Sequence, residues 1–130
     1  MRILTDTNVL IDALKKKRGR GEFLEALPRQ GFTLCTCAVV LTELYSGIAP
    51  ADRSKAEGMT GDFLFLSTNA ELGRLAGTLR KRYRDLGVAL STPDCLIAAS
   101  AIHYDAMLLT FNQKDFPMPE LRFYPVSAQA

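Results

Sequence analysis

Asp6, Glu43, Asp94 and Asp115 each fall where a strand is expected to end or in the early part of a helix. In an α/β fold the carboxyl ends of parallel strands converge on one edge of the sheet, so acids far apart in the chain can meet there. Their separations run to tens of residues, too long for a single helical face. Only tertiary folding can gather them. Carboxylates held close together cannot all stay ionised without a cation, and an all-oxygen donor set suits Mg²⁺ or Mn²⁺ rather than zinc. The chemistry this pattern points to is metal-assisted attack on a phosphodiester.

Each acid also has an ordinary role when taken singly. Asp6 can cap a helix, Glu43 can face solvent, Asp94 suits the positive end of a helix dipole, and Asp115 can decorate a surface turn. Glu43 resists this reading most. It sits among Val39, Val40, Leu44 and Tyr45, where burial without a partner or a cation is costly.

The chain has 130 residues, 48% of them hydrophobic and 23% charged. That length matches one domain over residues 1–130, with enough apolar content for a real core. A net charge of +2 neither establishes nor excludes a nucleic-acid partner, because clustering matters more than the sum. The first twenty residues place their main basic run after the apolar stretch, unlike a signal peptide, and no apolar run reaches membrane-spanning length. A soluble, cytoplasmic protein is expected. Three cysteines are an odd count that suits a reducing compartment. Cys35 and Cys37 fall on one face of an expected strand, where a buried apolar role is favoured over metal binding.

The elements that must position the acids follow from periodicity and turn chemistry. Residues 2–5 read as a short buried strand, followed by a polar turn at Asp6-Thr7-Asn8 and a helix starting near Asn8. The basic, glycine-containing stretch Lys15 to Gly21 is expected to be a solvated connection, followed by a short helix over 22–27. Pro28 and Gly31 should break the pattern before a strand at 32–37. Helical spacing covers 38–48, and a loose helix or loop covers 51–61. A brief strand is expected at 63–66. The clearest amphipathic helix runs over 70–86, capped by Thr68 or Asn69 and stopped near Gly87. Thr92-Pro93-Asp94 supplies an N-cap, a first-turn proline and an acid ahead of a buried helix. A strand at 106–109, a polar turn at 110–116 and an edge strand at 121–124 complete the chain. The alternation predicts a three-layer α/β/α fold with a mostly parallel central sheet of four to five strands.

Four local strings sharpen the reading. LTDTNVLIDAL at the start, AVVLTELYSGI around Glu43, TPDCLIAASAI around Asp94 and LLTFNQKDFPMPELRFYP near the end together resemble the PIN-domain family, especially its VapC-type toxin branch. The resemblance spans nearly the whole chain and implies Mg²⁺- or Mn²⁺-dependent cleavage of RNA, with a structured RNA such as tRNA as a candidate substrate. It carries Asp6, Glu43 and Asp94 over as metal-binding catalytic residues. The fourth position varies between an acid and asparagine, so either Asn112 or Asp115 can face the metal, and Asp115 is preferred for its charge. Thr7 and Asn8 resemble the family's polar turn, which orients the first carboxylate or contacts phosphate. Helix capping explains them equally well.

The expected mechanism is hydrolysis by metal-bound water, with no protein nucleophile; the resemblance implies 5′-phosphate and 3′-hydroxyl ends. His103, near the end of an apolar helix, suits a structural role better than acid catalysis. Two basic clusters are candidates for the RNA backbone: Lys15, Lys16, Lys17, Arg18 and Arg20, and then Arg80, Lys81, Arg82 and Arg84. Helix C-termini and solvated faces favour the same residues for ordinary electrostatic reasons. The resemblance further implies a homodimer and a small VapB-like antitoxin. A haloacid-dehalogenase-type phosphatase fails at Asn8, where it needs a second aspartate, and no phosphate-receiver pattern of acidic pair and lysine is present. The alternatives are a PIN nuclease of RNA maturation or decay, and a catalytically weak RNA- or partner-binding module.

Overall fold

Ile3, Leu4 and Thr5 of the first strand and Leu34 to Cys37 of the second are all buried. A strand shielded on both faces must have helices above and below it, as parallel sheets do. The computed structural model describes residues 1–15 and 19–126 and has that arrangement. Strands β1 (Arg2–Thr5), β2 (Thr33–Cys37), β3 (Leu64–Leu66) and β4 (Met107–Leu109) form one parallel sheet in the order β3-β2-β1-β4. The helices are α1 (Thr7–Leu14), α2 (Arg20–Arg29), α3 (Ala38–Gly47), α4 (Arg53–Thr60), α5 (Ala70–Arg84) and α6 (Thr92–His103).

The strand order matters for function. From β1 the chain builds outward through β2 and β3 on one side, then returns to place β4 on the other side of β1. The switch in direction opens a crevice beyond the carboxyl ends of β1 and β4, where ligands bind in such sheets. Asp6 follows β1 directly, and its backbone N–H donates to the Leu109 carbonyl at the end of β4, 2.8 Å away.

Helix α5 buries Leu72, Ala76, Leu79 and Tyr83 along one stripe and packs against α6. Helix α6 has no polar face to spare: Cys95 and Ile97 through Ala101 are all buried. Its run of Ala98, Ala99, Ser100 and Ala101 lets neighbouring backbones approach closely. Asn69 caps α5 by accepting from the Leu72 N–H at 2.9 Å, one of the two capping residues expected there.

Several expected boundaries are corrected. The cap of α6 is Ser91 rather than Thr92, because the Ser91 hydroxyl accepts from the Asp94 N–H at 3.1 Å. Helix α2 begins at Arg20 and runs through Pro28 to Arg29; a proline in the last turn forfeits only one intrahelical bond. Gly31, with φ at 93°, then turns the chain into β2. The stretch expected to be loose resolves into a 3₁₀ turn at Pro50–Asp52 and helix α4. Helix α5 ends at Arg84, and Gly87 follows with φ at 81°. The expected edge strand over 121–124 is a single parallel bridge between Leu108 and Phe123. Pro119 and Pro125, which lack N–H donors, bracket it. The sheet therefore has four strands.

The three cysteines are free and buried, and burial pushes each thiol upward. Among the described residues no helix is long and apolar enough to cross a membrane.

Candidate metal centre

Asp6 anchors the centre. Its position as N-cap of α1 leaves its carboxylate at the sheet edge, where Oδ1 accepts from the Thr7 N–H at 2.8 Å and Oδ2 accepts from the Thr110 hydroxyl at 2.7 Å. The residue is only 7% exposed. Burial pushes its carboxyl above the usual carboxylate range, the two hydrogen bonds oppose that, and the charges of Glu43 and Asp115 push it further up.

Glu43 arrives from α3, half-buried. Its Oε1 accepts from the Thr7 hydroxyl at 2.8 Å, so Thr7 bridges the first two acids, with its N–H on Asp6 and its O–H on Glu43. Asp94 sits in the first turn of α6, placed by the Ser91 cap. Burial raises its carboxyl too, a hydrogen bond from the Ser91 side chain to the carboxylate opposes that, and the charges of Asp6, Asp115 and Glu43 raise it further. Asp115 lies in a 3₁₀ turn over Gln113–Asp115, half-buried and near enough to act on both Asp6 and Asp94. Asn112 is exposed. Its backbone N–H donates to the Thr110 hydroxyl at 3.1 Å, and its carbonyl accepts from the Asp115 N–H at 3.0 Å.

The fold thus gathers four carboxylates from four separate segments. Among the described residues that shift Asp6 and Asp94 none is a cation. Hard oxygen donors under mutual repulsion are the set a divalent cation requires. Among the described residues no group of three or more acid, His or Cys side chains stands close enough together to hold a metal ion. Mg²⁺ keeps several waters and takes only one or two carboxylates directly, and Asp6 and Glu43, bridged by Thr7, supply that number. The residues present fit the group.

Thr110 and Ser91 are the contributors that the sequence reading did not single out. The signal for Thr110 was a threonine directly after a wholly apolar strand. Asn8, expected to give polar support, has a buried Oδ1 without a hydrogen-bond partner. His103 lies at the far end of α6. The next residue's carbonyl accepts from Arg2, at the start of β1, at 3.1 Å, which places that end at the opposite pole of the sheet from Asp6.

The basic clusters separate. Lys16, Lys17 and Arg18 lie outside the described residues, and Lys15 is exposed. Arg20 is corrected: it is 7% exposed and paired with Asp12, because α2 begins at this residue and turns it inward. It does not present a surface for RNA. In the second cluster Lys81 pairs with Asp85 at 2.7 Å and Arg82 with Glu120 at 2.9 Å. Arg80 and Arg84 are exposed; Arg80 donates from Nε to the Leu90 carbonyl at 3.0 Å, just before the cap of α6.

A model of the PIN domain matches residues 3–118, a span that includes all four acids. The chain belongs to the PIN domain family. Ribonuclease VapC19 of Mycobacterium tuberculosis is 31% identical to this PIN domain over 120 residues, covering 92% of this chain and 96% of that relative. Ribonuclease VapC10 of the same organism is 31% identical over 118 residues, covering 91% of this chain and 88% of that one. In solved structures, this PIN domain is similar to a chain in the crystal structure of VapBC2 from Rickettsia felis bound to a DNA fragment from their promoter. The TM-score is 0.84 and the identity 27%, over 95% of this chain and 98% of that one.

Proposed function

We propose that this chain is a single PIN domain acting as a divalent-metal-dependent endoribonuclease, the toxin of a VapBC-type pair. The observation that carries the proposal is the convergence of Asp6, Glu43, Asp94 and Asp115 at the β1–β4 crevice, with no cation among the described residues acting on Asp6 and Asp94. Relatives named as ribonucleases, matched along nearly their whole length, support the activity.

Asp6, Glu43, Asp94 and Asp115 hold Mg²⁺ or Mn²⁺ in this reading. When bound, the ion lowers the pKa of a coordinated water and neutralises charge that develops on the phosphate. Thr110 and Thr7 fix the oxygens of Asp6, and Thr7 keeps Glu43 turned toward it. Ser91 sets the first turn of α6 and with it Asp94. Asp115 is favoured over Asn112 as fourth acid because it is half-buried and acts on both Asp6 and Asp94, whereas Asn112 is exposed. Asn8 lends polar support. Lys15, Lys16, Lys17, Arg18, Arg80 and Arg84 are the candidate backbone contacts, with Lys81 and Arg82 secondary because each is already ion-paired.

The substrate in this reading is RNA, with tRNA the first to try. In this reading the protein works in the cytoplasm as a homodimer, and the similarity to a VapBC structure supports its restraint by a VapB-like antitoxin. Induced expression in bacteria tests it. Growth should stop with the natural chain, continue with Asp94→Asn, and resume when the partner antitoxin is co-expressed. Unimpeded growth with abundant folded natural chain contradicts the toxin reading and favours a PIN nuclease of RNA maturation or decay.

A further inference from the structure

Among the described residues Arg20 is the only buried basic side chain. Its Nη1 pairs with Asp12 of α1. Its guanidinium carbon lies 3.8 Å from the centre of the Phe111 ring, while its Nε is buried with no hydrogen-bond partner. Burying a guanidinium is costly unless it is paired. Here a carboxylate meets one guanidinium nitrogen while the guanidinium carbon sits over an aromatic ring, a combination that favours the delocalised, weakly hydrated arginine head over the compact ammonium of lysine.

Arg20, from α2, joins the two elements that build one side of the acidic centre. Helix α1 is capped by Asp6. Phe111 stands between Thr110, which holds Asp6, and the turn that carries Asp115. The N–H groups of Asn112, Asp115 and Phe116 are satisfied within that segment, by the Thr110 hydroxyl and the carbonyls of Asn112 and Gln113. Its shape is therefore local, and its placement against α1 needs contacts from outside. The buried Phe116 ring anchors the far end, and the Arg20 stack holds the near end.

We propose that Arg20 is a positioning residue for the acidic centre. It clamps Phe111 against α1 and so holds residues 110–115 where Thr110 reaches Asp6 and Asp115 faces Asp6 and Asp94. The effect on cleavage rests on the nuclease reading above, whereas the clamp itself does not.

The test uses the full chain with Arg20→Met, Arg20→Lys, Phe111→Leu and the Arg20→Met/Phe111→Leu double variant. Three quantities are read: amide hydrogen exchange over 112–116, Mn²⁺ affinity of RNA-free protein, and kcat and KM on a labelled RNA. Arg20→Met should speed exchange in that segment, weaken Mn²⁺ binding about tenfold, as loss of an outer-shell support does, and lower kcat with KM unchanged. Phe111→Leu should do the same, and the double variant should be no worse than either single one. Arg20→Lys, which keeps the charge but not the planar stack, should fall between. If Arg20→Met does not fold, the Lys and Leu variants carry the same comparison.

Variants that lose thermal stability but keep natural exchange over 112–116 and natural Mn²⁺ affinity overturn the proposal, leaving only a structural ion pair. A raised KM at constant kcat also overturns it, in favour of direct RNA contact. If the natural protein neither binds Mn²⁺ nor cuts RNA, the nuclease reading has failed, and the exchange measurement alone then decides whether the clamp exists.

Discussion

The Thr110 hydroxyl, at the end of β4, lies 2.7 Å from Asp6 Oδ2, at the end of β1. It ties together the two strands that flank the crevice, and it accepts from the Asn112 N–H at the same time. Thr110→Val keeps the shape and removes both bonds. It leaves a buried carboxylate oxygen and a backbone N–H short of partners, a loss of about 1–3 kcal/mol in stability. RNA cleavage should fall roughly 10–100-fold, the range for partners that orient a metal ligand. Denaturant unfolding and cleavage rates check the two parts separately, and Thr110→Ser should restore most of both.

Thr7 bridges Asp6 and Glu43. Thr7→Val removes only the hydroxyl arm, because the N–H that meets Asp6 belongs to the backbone. The expected result is about a tenfold weaker response to metal with little change in thermal stability, since Glu43 is only half-buried. Titrating activity against metal concentration distinguishes this from a general loss of folding.

Asp94→Asn should separate stability from function. Burial and three neighbouring acids raise the Asp94 carboxyl, so its ionised form is a cost to the metal-free protein at neutral pH. The amide removes that cost while the Ser91 cap, made to the backbone, survives. The variant should melt higher than the natural metal-free protein, yet lose more than about 100-fold in cleavage, beyond what loss of an outer-shell partner costs. Thermal melts and a cleavage assay on the same preparation check it.

The same shifts set a pH dependence. A carboxyl raised on folding contributes stability that is fully present below its unfolded value and is lost as pH rises through the folded value. Asp6 and Asp94 are both raised. The stability advantage of Asp94→Asn over the natural metal-free chain should therefore grow as pH rises from the ordinary carboxylate range toward neutrality. Added Mg²⁺ should stabilise the natural protein more at pH 7 than at pH 5. Melting curves of both proteins across that interval, with and without metal, test the sign.

The layers were legible in the sequence because their causes are local, whereas the acids were singled out by their places at strand ends and early helical turns and by the four family-like strings around them. Periodicity marks α5 through Leu72, Ala76, Leu79 and Tyr83, and an apolar run ending in a polar turn marks β1 and Asp6. What was not legible depended on partners distant in the chain. Thr110 looks like the first residue of a turn until β4 lies beside β1. Arg20 looks like part of a solvated basic run until α2 turns it onto Asp12 and Phe111. The terminal strand shrank to one bridge because flanking prolines withhold donors, and its extent depended on how much of β4's edge was free to pair.

The central claim is that the carboxylates gathered at the β1–β4 crevice hold a divalent ion that cuts RNA. The most direct measurement is cleavage of end-labelled tRNA and unstructured RNA by the purified protein in Mg²⁺ or Mn²⁺, with identification of the new ends. The account predicts cuts bearing 5′-phosphates, abolished by a chelator, restored by excess metal and absent with Asp94→Asn. Cleavage that persists in chelator or in Asp94→Asn, or folded metal-loaded protein that cuts neither RNA, contradicts it.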